Sequence, residues 1–131
     1  MKSLFKAIYE RWVAVGNCGL TNLYDTQAPA EAVFPYGTFS MPSNTPDWTF
    51  SEKFENCLIQ FSLFSKLSSS DEVCACFELL KTAFDFEDVE LSIVGYRCIS
   101  LERESAILFK VEKVWQYSAT YRIYLQKSLG D

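Results

Sequence analysis

Cysteines and carboxylates are the side chains of this chain that could do chemistry, since its 131 residues include no histidine. The five cysteines are an odd number, at Cys18, Cys57, Cys74, Cys76 and Cys98. Cys74 and Cys76 form a C-x-C pair, whereas redox and zinc sites commonly use C-x-x-C. On a helix two such residues point about 200° apart. The pattern favours reduced, buried thiols; a thiol-based enzyme would depend on Cys74 and Cys76 alone.

Carboxylates cluster in two short segments, Asp85, Glu87, Asp88 and Glu90 in the first, and Glu102 and Glu104 in the second. Paired carboxylates can hold magnesium or share a proton, but in short acidic turns they are usually solvated charges. Without histidine the commonest general base and the Ser-His and Cys-His nucleophile pairs are absent. The few glycines form no phosphate-binding loop. The sequence therefore predicts no catalytic residue, no cofactor and no metal, and a protein that is not an enzyme.

The strongest structural signal is the alternation from Ile107 to Gln126. Its odd positions are apolar or aromatic except Lys113, and most of its even positions are polar. Successive side chains of a strand point to opposite faces, so this pattern indicates a sheet with one buried face. The span far exceeds an ordinary strand of about 5–6 residues. We interpret it as one very long strand, or as two strands in line with a bend at Lys113.

Two amphipathic helices and a central strand are the other clear elements. Lys2 to Val15 places its apolar residues on one face, and Gly16 is a natural helix stop. Ser69 with Glu72 predicts a capping box opening a second helix that runs to Phe84. The predicted buried stripe of this helix consists of Val73, Cys76, Phe77, Leu80, Ala83 and Phe84. Lys53 to Ser65 alternates and is predicted to be the central strand.

Weaker patterns predict further strands at Leu20–Tyr24, Tyr36–Ser40 and Val89–Leu101, the last with an irregular middle, and a turn at Glu102–Ser105. The order of elements predicts a single α+β domain over residues 1–131. Its antiparallel or mixed β-sheet would carry two helices packed on one face and long C-terminal strands.

The segment from Pro42 to Phe50 combines turn-forming residues with aromatic ones and is predicted to be a loop. Such a loop folds back on the core or projects to meet a partner, where aromatic anchors are favoured. The candidate contact with a partner or a second copy consists of Thr45, Pro46, Asp47, Trp48, Thr49 and Phe50.

The formal net charge of −5 argues against binding nucleic acid through its phosphates, although DNA could pass near such a protein. The sequence has no run of about 18 apolar residues, so we expect no membrane span. The N-terminus resembles a signal peptide at first, but Lys6, Glu10 and Arg11 interrupt its apolar core. We therefore expect synthesis in the cytoplasm.

The layout resembles a known family. A short strand is followed by Asp25, Pro29-Ala30 and Phe34-Pro35-Tyr36 entering a strand, and then by a Thr/Trp-containing segment, Thr45 to Thr49. The helix Ser69 to Phe84 and the strands Val89 to Leu101 and Val111 to Gln126 complete the pattern. Over nearly its whole length the chain resembles the small bacteriophage tail completion proteins, also called tail terminator or head–tail joining proteins. The C-x-C pair has no counterpart in this pattern.

The resemblance implies a non-enzymatic virion protein that forms a ring, commonly a hexamer, ending the tail tube. Its partners would be its own copies, the tail tube protein and the head–tail connector, with no membrane and no sequence-specific nucleic acid; DNA would pass through the ring. The protein would be assembled in the bacterial host cytoplasm and reside in the virion tail or head–tail junction. An alternative from another class is a monomeric or dimeric α+β module that binds a small ligand or peptide on its sheet.

Overall fold

The computed structural model describes residues 2–48, 53–86 and 91–127. In chain order these form α1 (Lys2–Ala14), a short 3-10 turn (Asn17–Gly19), β1 (Leu23–Asp25), β2 (Tyr36–Trp48), β3 (Lys53–Ser65), α2 (Asp71–Phe84), β4 (Tyr96–Val111) and β5 (Val114–Lys127). The strands form one sheet in the order β1-β2-β3-β5-β4. β1 runs parallel to β2, and the other neighbours are antiparallel. The predicted α+β class, with a mixed sheet and long C-terminal strands, is confirmed.

β3 is the central strand, as its alternation predicted, and it pairs with β5 from Phe54↔Gln126 to Ser65↔Trp115. The odd side chains in the middle of both strands are buried, among them Ile59, Phe61 and Leu63 on β3 and Ala119, Tyr121, Ile123 and Leu125 on β5. Even residues of these strands point to the opposite face. The core therefore lies on one side of the sheet only.

Both helices pack on this buried face through aromatic contacts. Phe5 of α1 meets Phe39 edge-on, with ring centroids 5.2 Å apart, and Phe84 of α2 lies 4.9 Å from Phe61. The buried residues of α2 are those of the predicted stripe, Val73, Cys76, Phe77, Leu80, Ala83 and Phe84. The sequence pattern thus identified the core-facing side of this helix, because burial follows the helical repeat of about 3.6 residues.

Asp85, at the end of α2, is hydrogen-bonded to two strands of the sheet. The Tyr121 hydroxyl donates a 2.5 Å hydrogen bond to Asp85 Oδ1, and Arg103 Nε donates one of 3.2 Å to Asp85 Oδ2. Burial, followed by this bond and the charge of Asp85, raises the pKa of Tyr121. The hydroxyl therefore stays protonated and remains a donor.

The prediction of a continuous or merely bent strand from Ile107 to Gln126 is wrong, because the chain reverses at Glu112 and Lys113. Both residues have left-handed backbone angles, with φ of 51° and 75°, typical of a two-residue hairpin turn. Ile107 pairs with Ser118, so an odd residue faces an even one across the hairpin. Odd residues hence face the core in β5, and in β4 they face the open side from Ser105 to Val111, after the second register shift. Apart from Lys113, the apolar residues keep the same parity on both sides of the turn. The sequence pattern therefore did not indicate that the chain reverses there.

The predicted strand Val89–Leu101 and the predicted turn Glu102–Ser105 are also corrected. Leu91 and Ile93 are buried but outside any strand, and β4 begins at Tyr96, after Gly95 with φ of 84°. Glu102–Ser105 lies within β4. Register shifts between Cys98 and Ser100 and between Arg103 and Ser105 interrupt the alternation there, so a bulged strand had the pattern of a turn.

The predicted capping box at α2 does not form. Ser69 Oγ accepts a 3.1 Å bond from Asp71 N, but the helix begins one residue later than predicted, with Ser70 as its cap and no side-chain capping bond. Glu72 instead accepts a 2.7 Å bond from the hydroxyl of Ser65. Ser65 is fully buried at the end of β3, and a buried hydroxyl needs a hydrogen-bond acceptor. Glu72 serves as that acceptor and does not cap the helix.

The predicted loop from Pro42 to Phe50 is strand as far as Trp48. A register shift between Ser40 and Ser43 contains Pro42, and Pro46 lies opposite Glu55. β1 covers only Gly37 to Phe39, so the rest of β2 is a sheet edge among the described residues. A proline on a free edge loses no ladder hydrogen bond, which is why these prolines do not end the strand.

The hydrogen bond between Tyr121 and Asp85 allows a first test. Tyr121→Phe keeps the buried ring and removes the only hydroxyl hydrogen bond that the described residues give it. We expect the free energy of unfolding to fall by about 1–2 kcal/mol, measured by denaturant titration. Tyr9→Phe, at an exposed position, is the control and should change it by less than about 0.5 kcal/mol. Equal losses in both variants would contradict the assigned role of this bond.

Candidate interaction surface

Trp48 at the end of β2 is the most prominent residue of the predicted contact segment. Its side chain is 65% exposed, and it pairs with Lys53 at the start of β3. The Lys53 ammonium lies 5.0 Å from the centroid of the indole ring, at cation–π distance. This contact holds a large apolar ring at the surface, at the end of the sheet where β2 ends and β3 begins.

A cavity of about 200 Å³ adjoins Trp48 and is lined by Trp48, Lys53, Glu55, Tyr96 and Lys127. Glu55 Oε2 is buried and has no hydrogen-bond partner among the described residues. Burial, and then the charge of Glu55 and a hydrogen bond to it, raise the pKa of Tyr96. The cavity thus combines an aromatic wall, two lysines and a carboxylate oxygen free to accept a hydrogen bond.

We define the arm-end surface as these five residues together with Thr45 and Pro46. Strand registers assemble it: Pro46 lies opposite Glu55, and Tyr96 opposite Lys127. Thr45 lies opposite Asn56 and faces the other side of the sheet. Thr49 and Phe50 are outside the described residues, as is the side chain of Asp47.

Sequence reasoning missed Glu55, Tyr96 and Lys127. One signal was present for Glu55, since it shares parity with the buried Cys57 and Ile59 and is therefore a carboxylate on the core side of its strand. Tyr96 and Lys127 carried no such signal, because only the pairing of β4 with β5 brings them beside β3.

Two carboxylates of the predicted clusters, Asp85 and Glu104, have ion-pair partners in the structure. Asp85 bonds Tyr121 and Arg103, and Glu104 receives bonds of 2.7 and 3.2 Å from Arg122. The bond from Arg122 holds the pKa of Glu104 below its usual range. These two carboxylates act as ion-pair partners. Glu87, Asp88 and Glu90 are outside the described residues.

The face of the sheet opposite the helices carries aromatic pairs and a polar centre. Phe54 stacks on Tyr124 at 5.2 Å and Tyr36 on Phe64 at 4.9 Å. Between them the hydroxyls of Ser62 and Ser118 lie 3.3 Å apart. Neither described helix packs here, so this open face is a broad, mixed surface.

The thiols of Cys18, Cys57 and Cys76 have raised pKa values, which disfavour nucleophilic chemistry. Burial raises the pKa of Cys18 and of Cys57 to about 11, and burial with the charge of Glu72 raises the pKa of Cys76. The thiolate is the nucleophilic form of cysteine. Of the C-x-C pair, Cys76 is buried and Cys74 only partly so.

A second cavity of about 480 Å³ lies along the stretch from Leu91 to Ile99. Its volume is within the range of small-molecule sites, about 300–1,000 Å³. The described lining comes from one continuous segment, so no polar groups converge on it from separate elements.

No described helix combines the length and apolar character that crossing a membrane requires.

Comparison with solved structures finds the same fold in a chain of a virion. A chain of the virion of a native gene transfer agent particle superposes with a TM-score of 0.76, with 92% of each chain covered and 16% sequence identity. No protein-family model matches the sequence, and no curated protein matches it. At this identity the likeness shows a shared fold.

The thiol environments give a second test. At pH 8 a thiol with a pKa of about 11 is about one part in a thousand thiolate. We expect Cys18 and Cys57 to resist iodoacetamide in the folded protein, and Cys76 to react slowly, as followed by peptide mass spectrometry. All should react after denaturation, which is the control. Rapid alkylation of Cys76 in the folded protein would support the thiol-based enzyme.

Proposed function

We propose that this chain is a non-enzymatic structural component of a phage-like virion. The observation that carries the proposal is the fold shared, over almost the whole of both chains, with a chain of a gene transfer agent virion. This is a likeness of three-dimensional structure. It agrees with the resemblance to tail completion proteins, which came from the order and residues of the sequence elements.

Within the virion, we propose that copies of this chain form a ring that ends the tail tube and joins it to the head connector. A head-to-tail contact repeated through a closed rotation makes such a ring, and the resemblance implies a hexamer. With a net charge of −5 per copy, a channel through the ring would repel DNA, which suits passage better than binding.

The arm-end surface supports the proposed contact with a neighbouring copy or the tail tube. Trp48 is the kind of aromatic anchor that dominates interfaces. The buried Glu55 oxygen has no hydrogen-bond partner among the described residues. Such an oxygen is costly to bury, and a donor from a neighbour would remove that cost. The surface thus has an apolar anchor beside a hydrogen-bond acceptor.

Deletion of the gene in the producing strain tests the role. We expect the strain to yield separate heads and tails with no joined particles, seen by negative-stain microscopy, and a plasmid copy to restore joined particles. Particles of normal form and number without the gene would contradict the proposal. A saturable thermal shift with a small molecule or peptide would then favour the alternative binding module.

Trp48→Ala tests the surface in the same complementation assay. We expect at least a tenfold loss of joined particles, because truncating an interface anchor costs about 2 kcal/mol or more, with little change in the melting temperature of the subunit. Val33→Ala is the matched control, since Val33 is also 65% exposed and lies outside the arm-end surface. Normal assembly by the Trp48 variant would remove Trp48 from the interface.

A further inference from the structure

The outer edge of β4 is free along the described sheet, because β4 is the last strand in the order. Both register shifts of this strand fall before Ala106. From Ala106 to Val111, AILFKV, it is regular and contains no proline. The free part of β2 differs, since it carries Pro42 and Pro46. Prolines, bulges and charged side chains are devices that protect strand edges from pairing. This segment, the open edge of β4, has no proline and no bulge, and its one charged residue is Lys110.

The hairpin turn determines which backbone groups of the open edge are unpaired. In a two-residue hairpin the closing pair is hydrogen-bonded, and bonded pairs then alternate with non-bonded ones. Val111↔Val114 closes the turn, so Phe109↔Gln116 and Ile107↔Ser118 are also bonded pairs. The N–H and C=O groups of Ala106, Leu108 and Lys110 therefore point outward.

The side chains of the open edge are apolar and accessible. Ile107 is 61% and Val111 54% exposed, and Phe109 lies between them, partly buried, on the same face. An apolar strand with outward N–H and C=O groups is a template for another strand.

We propose that the open edge of β4 is an antiparallel dimer interface between two copies of this chain, with its two-fold axis at Leu108. In this register Leu108 lies opposite Leu108 of the second copy, and Ala106 opposite Lys110. Every outward N–H of these residues then meets a carbonyl of the other copy. Sliding by one residue pair would leave Ala106 or Lys110 opposite turn or bulge residues. The segment is thus complementary to itself in one register.

The side chains agree with this register. Ile107 lies opposite Phe109 of the second copy at a non-bonded position, where side chains approach most closely. Aromatic and β-branched residues are favourable partners across strands. Lys110 faces Ala106, so no like charges are opposed within the segment. The inference uses only the strand edge and does not depend on a role in a virion.

Cysteine crosslinking tests the register. In Leu108→Cys the two introduced Cα atoms would be about 5.5 Å apart, within the disulfide range of about 4.4–6.8 Å. In Lys110→Cys, the matched control, they would be about 13 Å apart. We expect mild oxidation to give at least ten times more covalent dimer with Leu108→Cys than with Lys110→Cys or the unmodified protein, which controls for the native thiols.

Mixing experiments and mass measurement complete the test. Ile107→Cys mixed with Phe109→Cys should crosslink more than either variant alone, since their Cα atoms would be about 4.5 Å apart. By light scattering we expect twice the 15.0 kDa chain mass, and half of that for Ile107→Lys, which places a charge at the interface. A monomer at every concentration, or equal crosslinking of Leu108→Cys and Lys110→Cys, would overturn the proposal.

Discussion

The pairing of β3 with β5 is the constraint on which the rest of the structure depends. It places Phe61 opposite the small Ala119 and beside Tyr121, leaving room for the ring of Phe84 from α2. The rings of Phe61, Phe84 and Tyr121 lie 4.9 to 6.2 Å apart and are almost fully buried. A slip of one residue would turn the odd side chains of β5 away from the helices, so the whole core selects this register.

The two accessible surfaces discussed above lie at opposite ends of the long strands. Around Trp48 the ends of β2, β3, β4 and β5 line one cavity, with an exposed indole and a buried carboxylate oxygen that has no hydrogen-bond partner in the described part of the chain. At the opposite end β4 and β5 run to their turn, where β4 exposes apolar side chains and a free edge. The two surfaces lie far apart along the same strands, so one copy can contact partners at both.

The carboxylates and thiols that could take part in chemistry have structural roles or raised pKa values. Asp85 and Glu104, two carboxylates from the clusters that could hold a metal ion or share a proton, are hydrogen-bonded to Tyr121 and Arg122, and Glu72 accepts a hydrogen bond from Ser65. Burial moves the pKa of three thiols away from the reactive range. These assignments agree with the structural role proposed for the chain.

The sequence by itself determined the class of fold, both helices with their buried faces, and the central strand, because helical and strand periodicity are local properties of burial. It also singled out Trp48 and its neighbours as a candidate contact. Only the tertiary structure decided where the chain reverses at Glu112, that Pro42 and Pro46 lie within a strand, and that Glu72 binds Ser65 in place of a cap. Each depends on contacts that periodicity does not record. The alternation keeps its parity on both sides of a two-residue turn, and a proline is compatible with a strand only where no neighbour needs its N–H. For the same reason Glu55, Tyr96 and Lys127 form one site only through the registers that bring their strands together.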